Sequence, residues 1–139
     1  MNDRYLFRAK RIDKGEWVEG CLLVLDDETY RIATSCLQGN EEHLLQVCAY
    51  EVDPSTICQC TGLNDKNGNL IWENDVVGFW DAYSTENGYA EAACIGKVVW
   101  DDETISFQVT NRLSAESYEV LDECSVIGNI FDNTELMNE

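Results

Sequence analysis

From its middle the chain reads Cys58-Gln59-Cys60-Thr61-Gly62-Leu63-Asn64-Asp65-Lys66-Asn67-Gly68-Asn69-Leu70-Ile71-Trp72. Asn67-Gly68 is the strongest signal for a two-residue hairpin, because a type I′ turn needs positive φ at both central positions. Short apolar and β-branched runs flank it, as they do in antiparallel strands. The segment therefore predicts a β-hairpin.

Towards the C-terminus the same pattern continues, with short apolar runs separated by polar clusters. Glu73-Asn74-Asp75 predicts a corner, and Asn74 suits a left-handed backbone there. Asp81 to Ala90 is expected to be a polar loop, and Ile105 belongs to a strand with one buried face. The predicted strands are Val76–Trp80, Ile95–Trp100, Ile105–Val109 and Ser125–Phe131.

Towards the N-terminus the runs are again short and β-rich. Asp53-Pro54 predicts a single helical or 3₁₀ turn, because Asp caps a helix well and Pro fits the first helical position. This turn is taken as the division between residues 1–52, an N-terminal β segment, and residues 53–139. The predicted strands are Tyr5–Lys10, Trp17–Leu25, Tyr30–Thr34 and Leu44–Val52. With no long helix in prospect, the fold class is all-β, in the form of a small barrel or roll.

The charge of the chain is strongly negative and unevenly distributed. Nine Lys and Arg oppose 27 Asp and Glu among 139 residues, for a net charge of −18. Residues 1–20 contain five basic and four acidic residues, which leaves four basic and 23 acidic residues in the rest, or +1 against −19. Such a field repels phosphates, so direct binding to nucleic acid or to an anionic membrane is not expected. A basic protein is favoured as partner; the alternative is that the acidity only keeps the protein soluble.

The cysteines and the apolar runs indicate a reducing compartment. The N-terminus lacks the apolar run of a signal peptide, and no stretch reaches the ~18 apolar residues of a membrane helix. A reducing cytosol is therefore expected, with all seven cysteines as thiols and no disulfide. They are Cys21, Cys36, Cys48, Cys58, Cys60, Cys94 and Cys124.

The stretch from Tyr50 to Val77 resembles the signature segment of the YopX family, which consists of small proteins encoded by bacteriophages and prophages. Other segments resemble family motifs in the same order along nearly the whole chain. They are Phe7-Arg8-Ala9, Trp17-Val18-Glu19-Gly20, Gly96-Lys97-Val98-Val99-Trp100 and Val126-Ile127-Gly128-Asn129-Ile130. The chain departs from the family pattern at Asn74, where Gly is usual, and at Thr134, where Pro is frequent.

The resemblance implies a fold but no activity. It implies an SH3-like barrel in the C-terminal half with the N-terminal β segment packed on it, and a phage or prophage gene expressed in bacterial cytoplasm. No catalytic residues, cofactor or metal ligands can be transferred from the family. An SH3-like barrel would not identify a function either, because such folds serve many functions.

Three groups of residues are candidate sites. Cys58 and Cys60 share one face of a strand, but a structural zinc site usually takes four ligands, so buried thiols are the preferred interpretation. His43, the only histidine, lies among glutamates and lacks a recognisable nucleophile partner. The acidic clusters suit solvated turns better than a Mg²⁺ or Ca²⁺ site. They are Asp26-Asp27-Glu28, Glu73-Asn74-Asp75, Asp101-Asp102-Glu103 and Asp122-Glu123.

The sequence thus predicts no catalytic, cofactor-binding or metal site, and leaves the binding residues open. Core or inter-subunit packing is the expected role of Trp17, Trp72, Trp80 and Trp100. The leading hypothesis is an accessory protein, not an enzyme, that acts by protein binding or as a homo-oligomer. The alternatives are an acidic mimic of nucleic acid that inhibits a host DNA- or RNA-binding protein, and a metal-dependent enzyme.

Overall fold

The computed structural model describes residues 3–36, 46–111 and 123–136, and these residues are mostly β. The chain divides into two compact units, Met1–Cys60 and Thr61–Glu139. Asp53-Pro54, where the sequence suggested a division, lies inside the first unit. The strands are β1 (Phe7–Lys10), β2 (Trp17–Val24), β3 (Tyr30–Cys36), β4 (Gln46–Glu51), β5 (Cys58–Asn64), β6 (Leu70–Trp72), β7 (Asp75–Thr85), β8 (Gly88–Asp101), β9 (Ser106–Val109) and β10 (Ser125–Asn129).

The first unit is an antiparallel sheet in the order β4-β3-β2-β1, with the beginning of β5 on the far side of β1. The ends of β1 and β4 meet, because Arg11 bridges Val52 and the Ile12 N–H donates to the Glu51 carbonyl at 3.0 Å. Short 3₁₀ turns cover Asp3–Tyr5 and Pro54–Thr56. The second confirms the predicted cap, since the Asp53 carboxylate accepts the Ser55 N–H at 3.0 Å.

The core of the first unit is small and centred on Ala9, Ile32 and Val52, which are almost completely buried. Partly buried apolar side chains pack around these three residues: Phe7, Val18, Leu22, Tyr30 and Ile57. Phe7 and Ala9 lie on one face of β1, as the alternation in the sequence predicted.

The second unit contains the β5–β6 hairpin and a four-stranded antiparallel sheet in the order β10-β7-β8-β9. Its core consists of Ile71, Val77, Phe79, Val98, Val109 and Cys124. Among the described residues, β9 and β10 do not pair, so the sheet is not a closed barrel. The mostly-β fold class is confirmed, while the SH3-like barrel stays a prediction.

The buried carboxylate of Asp65 fixes the loop between β5 and β6 to β10. It accepts the backbone N–H groups of Asn67 at 2.9 Å, Asn69 at 2.8 Å and Val126 at 2.9 Å. Burial is the largest effect on the pKa of Asp65 and raises it, but the backbone donors Val126, Asn69 and Asn67 together bring this pKa below its ordinary value. The carboxylate is therefore held ionised.

Three expectations from the sequence are wrong in detail. The turn after β5 is not type I′ at Asn67-Gly68, because the Gly68 N–H donates to the Asp65 carbonyl and positive φ occurs at Gly68 but not at Asn67. Residues 81–90 are not a polar loop but the distal part of the β7–β8 hairpin. Ile105 is not on the buried face of β9: it is 75% exposed at a corner with φ 53°. The left-handed corner at Asn74 is confirmed by its φ of 71°.

The expectation of seven thiols is wrong for Cys48, which is disulfide-bonded. Thiols occur at Cys21, Cys58, Cys60, Cys94 and Cys124. The described residues include no helix that is both long and apolar enough to cross a bilayer.

Replacement of Asp65 by Ala should lower the free energy of unfolding by about 3 kcal/mol at neutral pH, because buried N–H groups lose their acceptor. The folded-state pKa is depressed, so the contribution of the ionised carboxylate is fully present above the unfolded value of about 3.9 and is lost as pH falls through the lower folded value. Urea titrations from neutral to acid pH test this. An equal decline in the free energy of unfolding of wild type and D65A below pH 4 (about the unfolded pKa) would contradict this explanation. The free energy of unfolding of D65N should lie between those of wild type and D65A.

Replacement of Gly96 by Ala should destabilise the sheet, because the new Cβ would overlap the carbonyl oxygen of Thr110 and press on Val109. We expect a loss of about 1–3 kcal/mol, as in other overpacked sites. Gly78→Ala is the matched control on the adjacent strand, since its Cβ would meet only Cγ2 of Ile127, at 4.0 Å. Chemical unfolding of both variants decides the matter, and similar losses in the two would refute the explanation.

Candidate protein-interaction surface

The β7–β8 hairpin is the longest regular element of the protein. The paired residues run from Val76 opposite Lys97 to Thr85 opposite Gly88, with Glu86-Asn87 at the turn. Among the described residues, β10 pairs only with residues 75–78 of β7, and β9 pairs only with residues 98–101 of β8. Within the described part of the chain, residues 79–85 and 88–94 therefore form a two-stranded ribbon beyond the four-stranded sheet. Such ribbons gain little stability from their own pairing.

The two faces of this hairpin differ in burial, as alternation along a strand requires. Val77, Phe79 and Asp81 point to the core side and are at most 7% exposed. Trp80, which lies between two of them on the opposite side, is 68% exposed. A large aromatic side chain is thus presented to solvent on a paired strand.

Cross-strand neighbours of Trp80 extend this exposed side into a continuous surface. Trp80 lies opposite Ala93, Gly78 opposite Ile95 and Ala82 opposite Glu91, and cross-strand partners share a face. We name this surface the outer face and define it by Gly78, Trp80, Ala82, Glu91, Ala93, Ile95, Lys97 and Ile127.

Ile127 joins the outer face through a β-bulge in β10. The register shifts between Val126 and Gly128, which leaves Ile127 as the extra residue. A Cβ at Gly78 would lie 4.0 Å from Cγ2 of Ile127, so this side chain lies beside Gly78. Ile95 and Ile127 are 43% and 44% exposed, and together with Trp80 they form a contiguous apolar patch.

The outer face ends where the C-terminal turn covers the sheet. A 3₁₀ turn at Thr134–Leu136 follows β10, and a Cβ at Gly128 would meet the side chains of Asn133 and Leu136. Gly128 pairs with Val76, which is completely buried. Beyond this covered end the surface remains open to solvent as far as the exposed ring of Tyr89 near the hairpin tip.

The outer face carries one charge of each sign. Glu91 and Lys97 both belong to β8 and lie on this face, with Ala93 and Ile95 between them. Residues 61–139 contain three basic and 16 acidic residues, so a cation here is unusual. In the described part of the chain, neither Glu91 nor Lys97 forms an ion pair.

The basic residues of the first unit are held against aromatic rings. The Arg8 guanidinium lies 4.8 Å from the centroid of the Trp17 ring, and the Lys10 ammonium lies 5.3 Å from it. Arg11 stacks on Tyr50 at 3.9 Å and forms an ion pair with Asp13 at 2.7 Å. These cations therefore stabilise neighbouring strands by cation–π contacts.

The candidate metal ligands do not assemble in the described residues. Cys58 and Cys60 share a face of β5 and are completely buried, as expected for packing thiols. No group of three or more His, Cys, Asp or Glu side chains among the described residues could hold a metal ion. Burial, followed by the charge of Asp81, raises the pKa of the Cys94 thiol and disfavours its thiolate. His43 lies outside the described residues.

The acidic clusters lie where strands are joined. Asp26-Asp27-Glu28 connects β2 to β3, and Glu73-Asn74-Asp75 forms the corner before β7, where the Asp75 carboxylate accepts the Trp72 N–H at 2.8 Å. In Asp101-Asp102-Glu103, Asp101 accepts the Glu103 N–H and Asp102 accepts the indole N–H of Trp100. The cluster Asp101-Asp102-Glu103 thus shapes a solvated turn, as predicted, whereas Asp75 is only 2% exposed, so the expectation of a solvated carboxylate is wrong there. In Asp122-Glu123, Asp122 lies outside the described residues.

The four tryptophans have different environments. Trp72 is 4% exposed, and Trp100 packs edge-on against Phe107 with ring centroids 5.1 Å apart. The ring of Trp17 forms cation–π contacts with Arg8 and Lys10. Trp80 alone of the four projects from the ribbon. The sequence does not separate these roles, because the polar composition of residues 81–90 predicts a loop and hides the pairing that exposes Trp80.

Comparison with known proteins identifies the family. A family model described as "YopX protein" matches residues 6–138, nearly the whole chain. The chain belongs to the YopX family. The resemblance seen in the motifs from Phe7 to Ile130 is thereby confirmed. No curated protein matches this YopX chain.

A solved structure supports the same conclusion for the fold. The crystal structure of protein EF1440 from Enterococcus faecalis is 25% identical to this YopX chain, with a TM-score of 0.51. The match covers 94% of this chain and 95% of that one. The two proteins are therefore similar along their whole lengths.

If the outer face is a binding surface and not part of the core, replacing Trp80 should hardly change folding. We expect Trp80→Thr to alter the free energy of unfolding by less than about 0.5 kcal/mol, whereas Trp72→Thr should cost about 3 kcal/mol or more. Urea unfolding followed by circular dichroism, in dilute solution, provides the comparison. Equal losses in W80T and W72T would show that Trp80 belongs to the core.

Proposed function

We propose that the protein is an accessory protein of a bacteriophage or prophage that acts in the bacterial cytoplasm by binding protein through the outer face, and not by catalysis. The observation that carries the proposal is the contiguous patch of Trp80, Ile95 and Ile127. Exposed apolar patches rimmed by polar residues mark interaction surfaces. Tryptophan is enriched among the residues that contribute most to such contacts.

The construction of the patch also supports binding. Trp80 and Ile95 stand on paired strands, so their backbone need not become ordered when a partner covers them. The high negative charge favours a basic protein as an additional partner and keeps like-charged proteins away. Mimicry of nucleic acid stays a prediction from charge alone, because the acidic turns of the described residues are explained by local hydrogen bonds.

The test is a comparison of three tagged proteins in a bacterial host lysate that also contains the untagged chain. The variant W80T/I95T alters the outer face. V24T/V47T is the matched control, since Val24 and Val47 are exposed residues of the first unit, at 61% and 65%. Bound proteins are identified by mass spectrometry, and binding is repeated with purified components.

We expect at least one protein, which can be the untagged chain itself, to be retained by wild type and V24T/V47T and lost with W80T/I95T. The reason is that truncating a central aromatic residue typically costs about 2 kcal/mol or more of binding free energy. If all three proteins retain the same set after purification, the outer face is not the binding surface.

A further inference from the structure

On the outer face, large and small residues occur in opposite order on the two strands. Along β7 it presents Gly78 and then Trp80, and at the same levels of β8 it presents Ile95 and then Ala93. Each strand thus places one large side chain beside one small residue. The midpoint of both pairs lies at the level of Phe79 and Cys94, which point to the core side.

A two-fold axis through this midpoint, in the plane of contact and perpendicular to the strands, would bring two copies together face to face. Under this operation each strand faces its own counterpart running in the opposite direction. Trp80 of one copy then lies over Gly78 of the other, and Ile95 lies over Ala93. On each of the two strands a large side chain thus meets a small one, as close packing between two sheets requires.

The charges obey the same symmetry. Glu91 and Lys97 lie at equal distances from the midpoint, on opposite sides of it. In the antiparallel arrangement Glu91 of one copy faces Lys97 of the other, and the pair occurs twice. In a parallel arrangement, with the axis along the strands, β8 would face β7 of the other copy, so that Glu91 would lie over Ala82 and Lys97 over Val76 and neither charge would meet a partner. The charge pattern therefore selects one orientation.

From these observations we infer that the outer face binds a second copy of this chain in an antiparallel, two-fold symmetric dimer. The inference rests on the proposed function and names the partner of the same surface. Two-fold contacts are the commonest solution for homo-oligomers, because one self-complementary patch serves both subunits. At physiological salt, charges more than about 8 Å apart are screened, so the repulsion between two acidic chains is reduced to local contacts.

Glu91→Lys provides a test for which general repulsion predicts the opposite result, because this change makes the chain less negative. Glu91→Lys changes the net charge from −18 to −16, and Lys97→Glu changes it to −20. The symmetric contact predicts that each reversal raises the dissociation constant of the dimer about tenfold, since two attractive pairs become repulsive. The double variant E91K/K97E restores both pairs and should return the constant to within about threefold of wild type.

The measurement is analytical ultracentrifugation of the purified full-length protein at micromolar concentrations and physiological salt. Glu103→Lys is the matched control, because it makes the same charge change at an exposed turn outside the outer face. E103K should dimerise at least as well as wild type. If E91K strengthens the dimer as E103K does, or if E91K/K97E fails to recover, the antiparallel contact is refuted.

Gly78→Thr tests the same contact by shape. A Cβ at Gly78 has only an ordinary contact within its own chain, so the variant should fold, and circular dichroism and urea unfolding check this. In the dimer, the added side chain would occupy the space above which Trp80 of the second copy lies. We expect the dissociation constant to rise at least about tenfold. An unchanged dimer would place the second copy elsewhere.

The outcomes separate this inference from the proposed function. A wild-type protein that remains monomeric at micromolar concentration overturns the dimer. If W80T/I95T nevertheless loses a purified partner that wild type retains, the outer face is a binding surface for a different protein. If neither self-association nor partner binding depends on this face, both proposals fail.

Discussion

The second unit depends most on the hydrogen bonds that the carboxylate of Asp65 accepts. One side chain accepts backbone N–H groups from its own loop and from Val126, while the Lys66 N–H donates to the carbonyl of Cys124. The β5–β6 loop and the first residues of β10 are thereby joined at two adjacent positions. Because β10 is held at Val126, the bulge that follows can place Ile127 on the outer face instead of the core.

Two glycines on neighbouring strands have opposite structural roles. Gly96 has no space for a side chain, because the backbone carbonyl of Thr110 approaches it. Gly78 has space on the solvent side, where only Ile127 is near. The first glycine is required by the packing within the chain. Gly78 leaves a depression in the outer face between Ile95, Ile127 and Trp80.

The sequence predicted the strand content well and the outer face poorly, for physical reasons. Short β-rich runs, the Asp53 cap and the left-handed Asn74 are local features, and local sequence determines them. The β7–β8 ribbon depends on pairing between residues 79–85 and 88–94. These residues are alanines, tyrosines and polar residues, a composition that resembles a loop. The alternation Glu91, Ala93, Ile95, Lys97 contained the missing signal, since every second residue of a strand shares a face. The disulfide at Cys48 could not be predicted, because cysteine spacing alone does not determine pairing.

The edge of β8 is blocked at one point next to the exposed ribbon. Beyond the pairing with β9, the Ile95 carbonyl is taken by the side-chain amide of Asn111, at 3.1 Å, and Asn111 itself has a φ of 63°. A strand arriving from outside would have to displace this amide before it could extend the sheet. Unprotected strand edges promote unlimited growth, and natural proteins block them in ways of this kind. Asn111 therefore hinders the addition of a further strand at this point of the β8 edge. The outer face of the same hairpin remains accessible.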